Sequence, residues 1–191
     1  WEHGFDVSFS SEQAVPTWDP MKDQPFVTKY WEGPGKYATT NLEGDDSRVI
    51  MDRVVPFIRN AAQAKQPFLA VVWFHAPHQP VKAGPQYRAM YSQYDEGQQH
   101  YFGCITALDE QVGRMREELA QLGIAGNTML WFASDNGPEE MTSDQGTNRG
   151  VTGGMRGRKR TFISCRAKVP APPESPGPLL TGQPSAATRA A

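Results

Sequence analysis

The stretch Trp131-Phe-Ala-Ser-Asp-Asn-Gly-Pro-Glu139 decides how this chain is read. Met129, Leu130, Trp131, Phe132 and Ala133 form an unbroken apolar run, as in a strand buried on both faces of a parallel sheet. The run stops at Ser134-Asp-Asn-Gly-Pro138, a cluster of turn formers. In open α/β sheets, ligands bind just beyond the carboxyl ends of the strands. A carboxylate and an amide oxygen placed there are hard donors of the kind that Ca²⁺ or Mg²⁺ takes. Taken alone, Asp-Asn-Gly makes a tight turn and nothing more. What else converges on that turn therefore decides between the two.

Immediately upstream, Tyr101, Ile105, Leu108, Val112, Met115, Leu119 and Leu122 recur in steps of four and three, predicting a long helix with one apolar face. Gly123 suits its C′ position. Further upstream, residues 67–74 form a second apolar run bounded by Pro, predicting another buried strand. That run leads into His75-Ala-Pro-His78-Gln-Pro80, where the prolines bar a helix and stiffen an extended loop. Zinc pairs of this His spacing usually sit on a helix or among cysteines, and neither holds here. A strand–loop–helix–strand order implies a right-handed parallel crossover. Such a crossover puts His78 and Asp135 at one end of the sheet.

Before these elements, Asp45, Asp46 and Ser47 offer an N-cap and favourable first-turn charge. Val49, Ile50, Val54, Phe57, Ile58 and Ala61 then follow at helical spacing, with Pro56 expected to kink or split the helix. The Asp45-Asp46 pair invites a metal reading, but it precedes a helix rather than following a strand, which favours capping. Residues 1–45, rich in Trp, Pro and Gly, predict loops with one short strand, and Trp18, Phe26, Tyr30 and Trp31 predict loop packing.

Net charge is −2 with both signs interspersed, which points neither to nucleic acid nor to a membrane surface. No run of about 18 apolar residues exists to span a bilayer. Cys104 falls in the helical pattern as a buried thiol; with Cys165 it makes neither a disulfide framework nor a metal cluster. The opening Trp1-Glu-His-Gly-Phe-Asp6 has no signal-peptide character and fits the interior of a longer protein.

Beyond the turn, Ser143 to Arg160 is glycine-rich and then basic, letting backbone approach a ligand with positive charge beside it. Arg156-Gly-Arg-Lys-Arg160 lacks interleaved aromatics, so it fits a solvated patch better than a nucleic-acid contact. Residues 166–191 hold no aromatic and many prolines, a composition that cannot bury a core and predicts disorder. The same composition fits a shift of reading frame near residue 162.

Together, His75-Ala-Pro-His78-Gln-Pro80, Ser134-Asp-Asn-Gly137 and Gly153-Gly-Met-Arg-Gly-Arg-Lys159 resemble the type I sulfatases, arylsulfatase-like enzymes of the alkaline phosphatase superfamily. Gly4-Phe-Asp6 and Val15-Pro-Thr-Trp-Asp-Pro-Met21 look like the bacterial members. The resemblance covers residues 1–161, a partial catalytic domain, and leaves 162–191 as an off-family Pro/Ala-rich tail. It implies an α/β layered fold, a mostly parallel sheet flanked by helices, here incomplete. It implies that Asp135 and Asn136 help hold Ca²⁺ (or Mg²⁺), that His78 contacts the sulfate, and that Lys159 binds a sulfate oxygen. His75 and Arg156 become supporting residues around the site. A divalent cation with fixed Lys and His donors suits the negative charge that develops in sulfate transfer.

The family's formylglycine arises from Cys or Ser in C/S-x-P-x-R, a motif this chain lacks, so it contains no nucleophile. An Asp-Asp pair after a first strand is missing too. The expectation is a sulfuric ester hydrolase fragment, inactive alone, whose full-length form is periplasmic or secreted and acts on a sulfated small molecule or carbohydrate. A phosphodiesterase or phosphonate hydrolase of the same superfamily, and a non-catalytic anion-binding remnant, are the alternatives.

Overall fold

The structure, a computed structural model, describes residues 4–22, 27–138, 150–151 and 158–159. Two helices and a small antiparallel ribbon organise it. Helix α1 spans Asp46–Gln63, and Asp45, in extended backbone, caps it by accepting the Arg48 N–H at 3.0 Å. Its buried face is Val49, Ile50, Met51, Val55, Ile58 and Ala61. Met51 and Val55 therefore replace the expected Val54 and Phe57, which are only partly buried. Pro56 neither splits nor ends α1. Its ring lies on the exposed side, so the packed residues around it hold the helix together across one missing N–H.

Residues 1–45 give more strand than expected. Three short strands, β1 (Ser10–Ser11), β2 (Tyr30–Gly33) and β3 (Lys36–Tyr37), pair antiparallel in that order. Ser11 lies opposite Tyr30, and Trp31 opposite Tyr37. Val15, Tyr30, Ala38 and Val49 form a buried cluster between this ribbon and α1, with Phe9, Met21 and Leu42 packed on it. Thr17 threads between two elements: its carbonyl accepts the Asp46 N–H at 3.1 Å, while its hydroxyl donates to the Lys82 carbonyl at 2.6 Å. Trp18 and Tyr30 thus pack as anticipated, while Phe26 lies outside the described residues.

A short helix α2 (Pro85–Ala89) precedes the long helix α3 (Glu96–Gln121). Asp95 and Gln98 close a capping box at the start of α3. At its end Gly123, with φ +70°, is the C′ residue: the Ile124 N–H reaches the Leu119 carbonyl and the Gly123 N–H the Ala120 carbonyl. This is the Schellman pattern.

The buried stripe of α3 is not the expected one. Gly103, Cys104, Ala107, Leu108, Gln111, Glu118 and Leu119 are buried, whereas Ile105 is 39% exposed. Two contacts rotate the helix this way. Gly103 abuts α2 and the residues leading into it so closely that a Cβ there would lie 3.1 Å from the Tyr87 Cβ and 2.8 Å from the Ala83 Cβ. Toward α1, Arg59 makes a two-pronged bond to Glu118 and Arg114 reaches Asp52, so polar positions can face inward. Val81, Ala83, Tyr87, Cys104 and Ala107 form the second buried cluster.

The two apolar runs expected as buried strands are neither buried nor strands. Residues 66–75 and 128–134 carry no strand pairing, and Leu69 (75%), Trp73 (83%), Trp131 (82%) and Phe132 (71%) stand in solvent. Apolarity on both faces predicts neighbours on both sides. No described residue supplies them, and no parallel strand pair occurs among the described residues. The expected placement of His78 and Asp135 at one end of a parallel sheet therefore has no sheet behind it here.

Candidate active site

The loop at 75–80 is held at both ends. At its far end, the Pro80 carbonyl accepts the Thr17 N–H at 3.2 Å, and the Lys82 N–H donates to the Thr17 hydroxyl at 2.8 Å. At its near end, the half-buried His75 ring is fixed by hydrogen bonds on both nitrogens. Between these anchors the His78 N–H donates to the His75 carbonyl at 2.5 Å, closing a turn. His78 itself is exposed, and its Nδ1 lies 2.6 Å from the Gln79 carbonyl. A carbonyl only accepts, so Nδ1 carries the proton and Nε2 is left as the nitrogen available to a substrate.

Asp135 and Asn136 stand where the exposed run 128–134 turns. The Ser134 hydroxyl donates to the Asn136 carbonyl at 2.7 Å, shaping that turn. No hydrogen bond among the described residues occupies the exposed Asp135 carboxylate. The later segment returns to this turn at two points. The Lys159 N–H donates to the Pro138 carbonyl at 3.1 Å. Gly150 packs so tightly on Pro138 and the Tyr101 hydroxyl that a Cβ would come within 2.6 Å of each. A glycine is required at that approach. The Lys159 main chain is thus tied to Pro138, two positions after Asn136, and no hydrogen bond or ion pair among the described residues joins His78 to that turn. Arg156 lies outside the described residues, as do residues 162–191, including Cys165.

Asp135 and Asn136 offer two oxygen donors of the kind a hard cation takes, too few to make a site by themselves. Ca²⁺ takes roughly 6–8 oxygens. Among the described residues, no group of three His, Cys, Asp or Glu side chains is placed to hold a metal ion.

The residue that sequence reasoning undervalued is Asp46. Asp45 alone does the capping, and burial pushes its carboxyl up to about 6. Asp46 is completely buried and serves the loop instead: its Oδ2 lies 2.9 Å from His75 Nδ1, and its Oδ1 accepts from the Tyr30 hydroxyl. Burial, then the Asp46 charge, raises the Tyr30 hydroxyl above the ordinary phenol range, which keeps it a donor. His75 Nε2 in turn lies 3.0 Å from Ser11 Oγ. Ser11 and His75 are 64 positions apart. The one local signal was the redundancy of two adjacent aspartates where a cap needs only one.

Cys104 is buried and takes no part. Loss of hydration raises its thiol to about 12. No helix among the described residues is long and apolar enough to cross a membrane.

The sequence matches the family described as Sulfatase over residues 2–162. N-acetylgalactosamine-6-sulfatase of Rattus norvegicus is 27% identical over 190 residues, covering 95% of this chain and 35% of the relative. An Ulvan-active sulfatase of Formosa agariphila is 32% identical over 132 residues, covering 60% of this chain and 24% of the relative. Among solved structures, Ps i-CgsB in complex with k-i-k-neocarrahexaose aligns with a TM-score of 0.63 at 25% identity, covering 71% of this chain and 33% of that one. The chain thus spans about a third of the length of such relatives or less. The expected fold class, alkaline phosphatase-like α/β, is the fold of these structural neighbours, of which the described residues hold the helices and a small sheet.

Proposed function

The chain belongs to the sulfatase family, and from that premise we propose that it carries the His78, Asp135, Asn136 and Lys159 part of a sulfuric ester hydrolase site. Sulfatases generally use a metal ion and a formylglycine. The observation that supports this reading most is the bond from the Lys159 N–H to the Pro138 carbonyl, which ties the backbone that carries Lys159 to the end of the turn bearing Asp135 and Asn136. In this reading Lys159 binds a sulfate oxygen. To assist the departing alcohol oxygen His78 must carry a second proton, on Nε2, and donate it there while its Nδ1 proton stays bonded to the Gln79 carbonyl. Asp135 and Asn136 would hold Ca²⁺ or Mg²⁺, which when bound supplies charge stabilisation to the sulfate oxygens. His75 and Arg156 support the site without reacting.

The substrate class is a sulfated carbohydrate. The names of two relatives, an Ulvan-active sulfatase and a structure holding k-i-k-neocarrahexaose, support that class. Residues 1–161 are the catalytic-domain part and 162–191 a Pro/Ala-rich tail; the full-length protein is exported to the periplasm or secreted. With no C/S-x-P-x-R in its sequence, the 191-residue polypeptide alone turns over no sulfate ester.

Two measurements on the purified chain test this reading. Incubation with 4-nitrophenyl sulfate and Ca²⁺ should release no nitrophenol, and measurable turnover refutes the assignment of the nucleophile elsewhere. Titration with inorganic sulfate should give weak binding that Ca²⁺ strengthens and that Lys159→Ala and Asp135→Asn each reduce. A second reading, a non-catalytic anion-binding remnant, draws on the lack of a three-residue metal cluster among the described residues. Sulfate binding that ignores both Ca²⁺ and Asp135→Asn decides for it.

A further inference from the structure

We infer that Asp46 and His75 are positioning residues for His78, acting through a relay of four side chains: Ser11, His75, Asp46 and Tyr30. The inference rests on the proposed role of His78 and extends it to residues that touch no substrate.

The relay joins four separate pieces of chain. Ser11 comes from β1, Tyr30 from β2, Asp46 from the first turn of α1, and His75 from the start of the loop. Asp46 is fully buried, and a carboxylate there is tolerable only when its oxygens are bonded. Both are: Tyr30 takes Oδ1 and His75 Nδ1 takes Oδ2. Asp46 cannot shift to follow a moving ring, because its own N–H is bonded to the Thr17 carbonyl. Tyr30 is pinned from its other face by Phe9, with ring centroids 4.6 Å apart.

The fixed His75 ring fixes the backbone that follows. The His75 carbonyl receives the His78 N–H, and two residues later the Pro80 carbonyl is tied to Thr17. His78 thus rides on a short arc with both feet anchored. One anchor is backbone packing, whereas the other is a side-chain relay that point mutations can release.

A serine hydroxyl, an imidazole and a buried carboxylate in this order have the connectivity of a nucleophilic triad. The proton count argues against that use. The single Ser11 hydroxyl proton is directed to the Gln13 carbonyl at 2.8 Å, so Oγ serves His75 Nε2 as a bonding partner and not as a primed nucleophile.

The test is imidazole and amide NMR on the 191-residue chain, which has four histidines. In the unmodified chain, His78 should show one tautomer, protonated at Nδ1, and a protected amide. His75→Ala and Asp46→Asn should each mix the His78 tautomers and speed its amide exchange by about tenfold, the loss expected for one charge-assisted hydrogen bond. The amides of α3 should keep their protection. His75→Asn should restore the unmodified pattern, because its side-chain N–H takes the place of Nδ1. Should Asp46→Asn fail to fold, His75→Ala, altering a partly exposed side chain, carries the test alone. An unchanged His78 in folded His75→Ala overturns the inference. So does covalent labelling of Ser11 by a fluorophosphonate, which would make the relay a nucleophilic centre. Titration with sulfate separates this inference from the reading it rests on. If sulfate leaves His78 unmoved in the unmodified chain while His75→Ala loosens the loop, the sulfate role fails and the positioning role stands.

Discussion

Two glycines of α3 permit a controlled test of how its neighbours pack. At Gly113 an added Cβ meets nothing within 4 Å. At Gly103 it meets the Ala83 Cβ at 2.8 Å, the Tyr87 Cβ at 3.1 Å and the Tyr87 carbonyl carbon at 3.3 Å. Replacing a helical Gly by Ala gains about 0.8–1.0 kcal/mol of intrinsic propensity at either position. Gly113→Ala should therefore stabilise by about that amount. At Gly103 the contacts are two Cβ atoms and a backbone carbon, none of which can swing aside, so overpacking of about 1–3 kcal/mol opposes the gain. Gly103→Ala should come out between neutral and about 2 kcal/mol destabilised. Because the propensity gain is common to both, the difference between the variants isolates the packing cost. A difference of about 2 kcal/mol separates the melting midpoints by roughly 4–8 °C in a chain of this size. Urea denaturation followed by helix circular dichroism, with unchanged slope, gives the same comparison isothermally. If Gly103→Ala is as stabilising as Gly113→Ala, then α2 does not press on α3 as described, and the rotation of the helix has another cause.

Ile58 is 2% exposed on the buried face of α1, so Ile58→Ala should lower the unfolding free energy by about 2–5 kcal/mol, read from the denaturation midpoint. In a Cys165→Ser background, Cys104 should resist Ellman's reagent at pH 8 in the native chain and react fully in denaturant, since its thiol is buried and pushed up to about 12. Rapid native labelling would refute the burial. Asp45 has its carboxyl raised to about 6 by burial, above the ordinary value near 3.9 that it holds when unfolded. Between those values the folded chain binds more protons than the unfolded one, so this group's contribution to stability falls as pH rises from about 4 to 6. Asp45→Asn, which still caps α1, should remove that slope, and a pH–stability curve identical to the parent's over the window would contradict the burial.

What could be read from the sequence was what is decided locally. Asp45 as a cap, Gly123 as a C′ glycine and a helix following Asp45 each depend on residues within a turn or two of themselves, and each is present. The α3 stripe was misplaced because periodicity scores apolar side chains, whereas the buried face admits Gln111 and Glu118, the latter once Arg59 pairs with it. The ribbon could not be read because Ser11 meets Tyr30 across a long loop with no alternation to mark either strand. The Asp46–His75 contact escaped for the same reason: it joins residues 29 positions apart. At the candidate site, His78, Asp135 and Lys159 were singled out by motif, and the structure adds one main-chain bond, from Lys159 to Pro138, near two of them. The runs at 67–74 and 128–134 were expected to be buried strands and are neither, because apolarity states only what a strand prefers beside it and not whether the neighbours are there.

Those two runs bear on how the polypeptide behaves at the bench and in a cell. Neither has a strand partner among the described residues, and each carries large exposed apolar side chains, the combination that templates pairing with any other extended chain. Solubility, rather than folding of the α1–α3 unit, then sets the working concentration. Yield of dispersed protein should fall steeply as expression level rises, while dilution or a holdase chaperone keeps the same molecules in suspension.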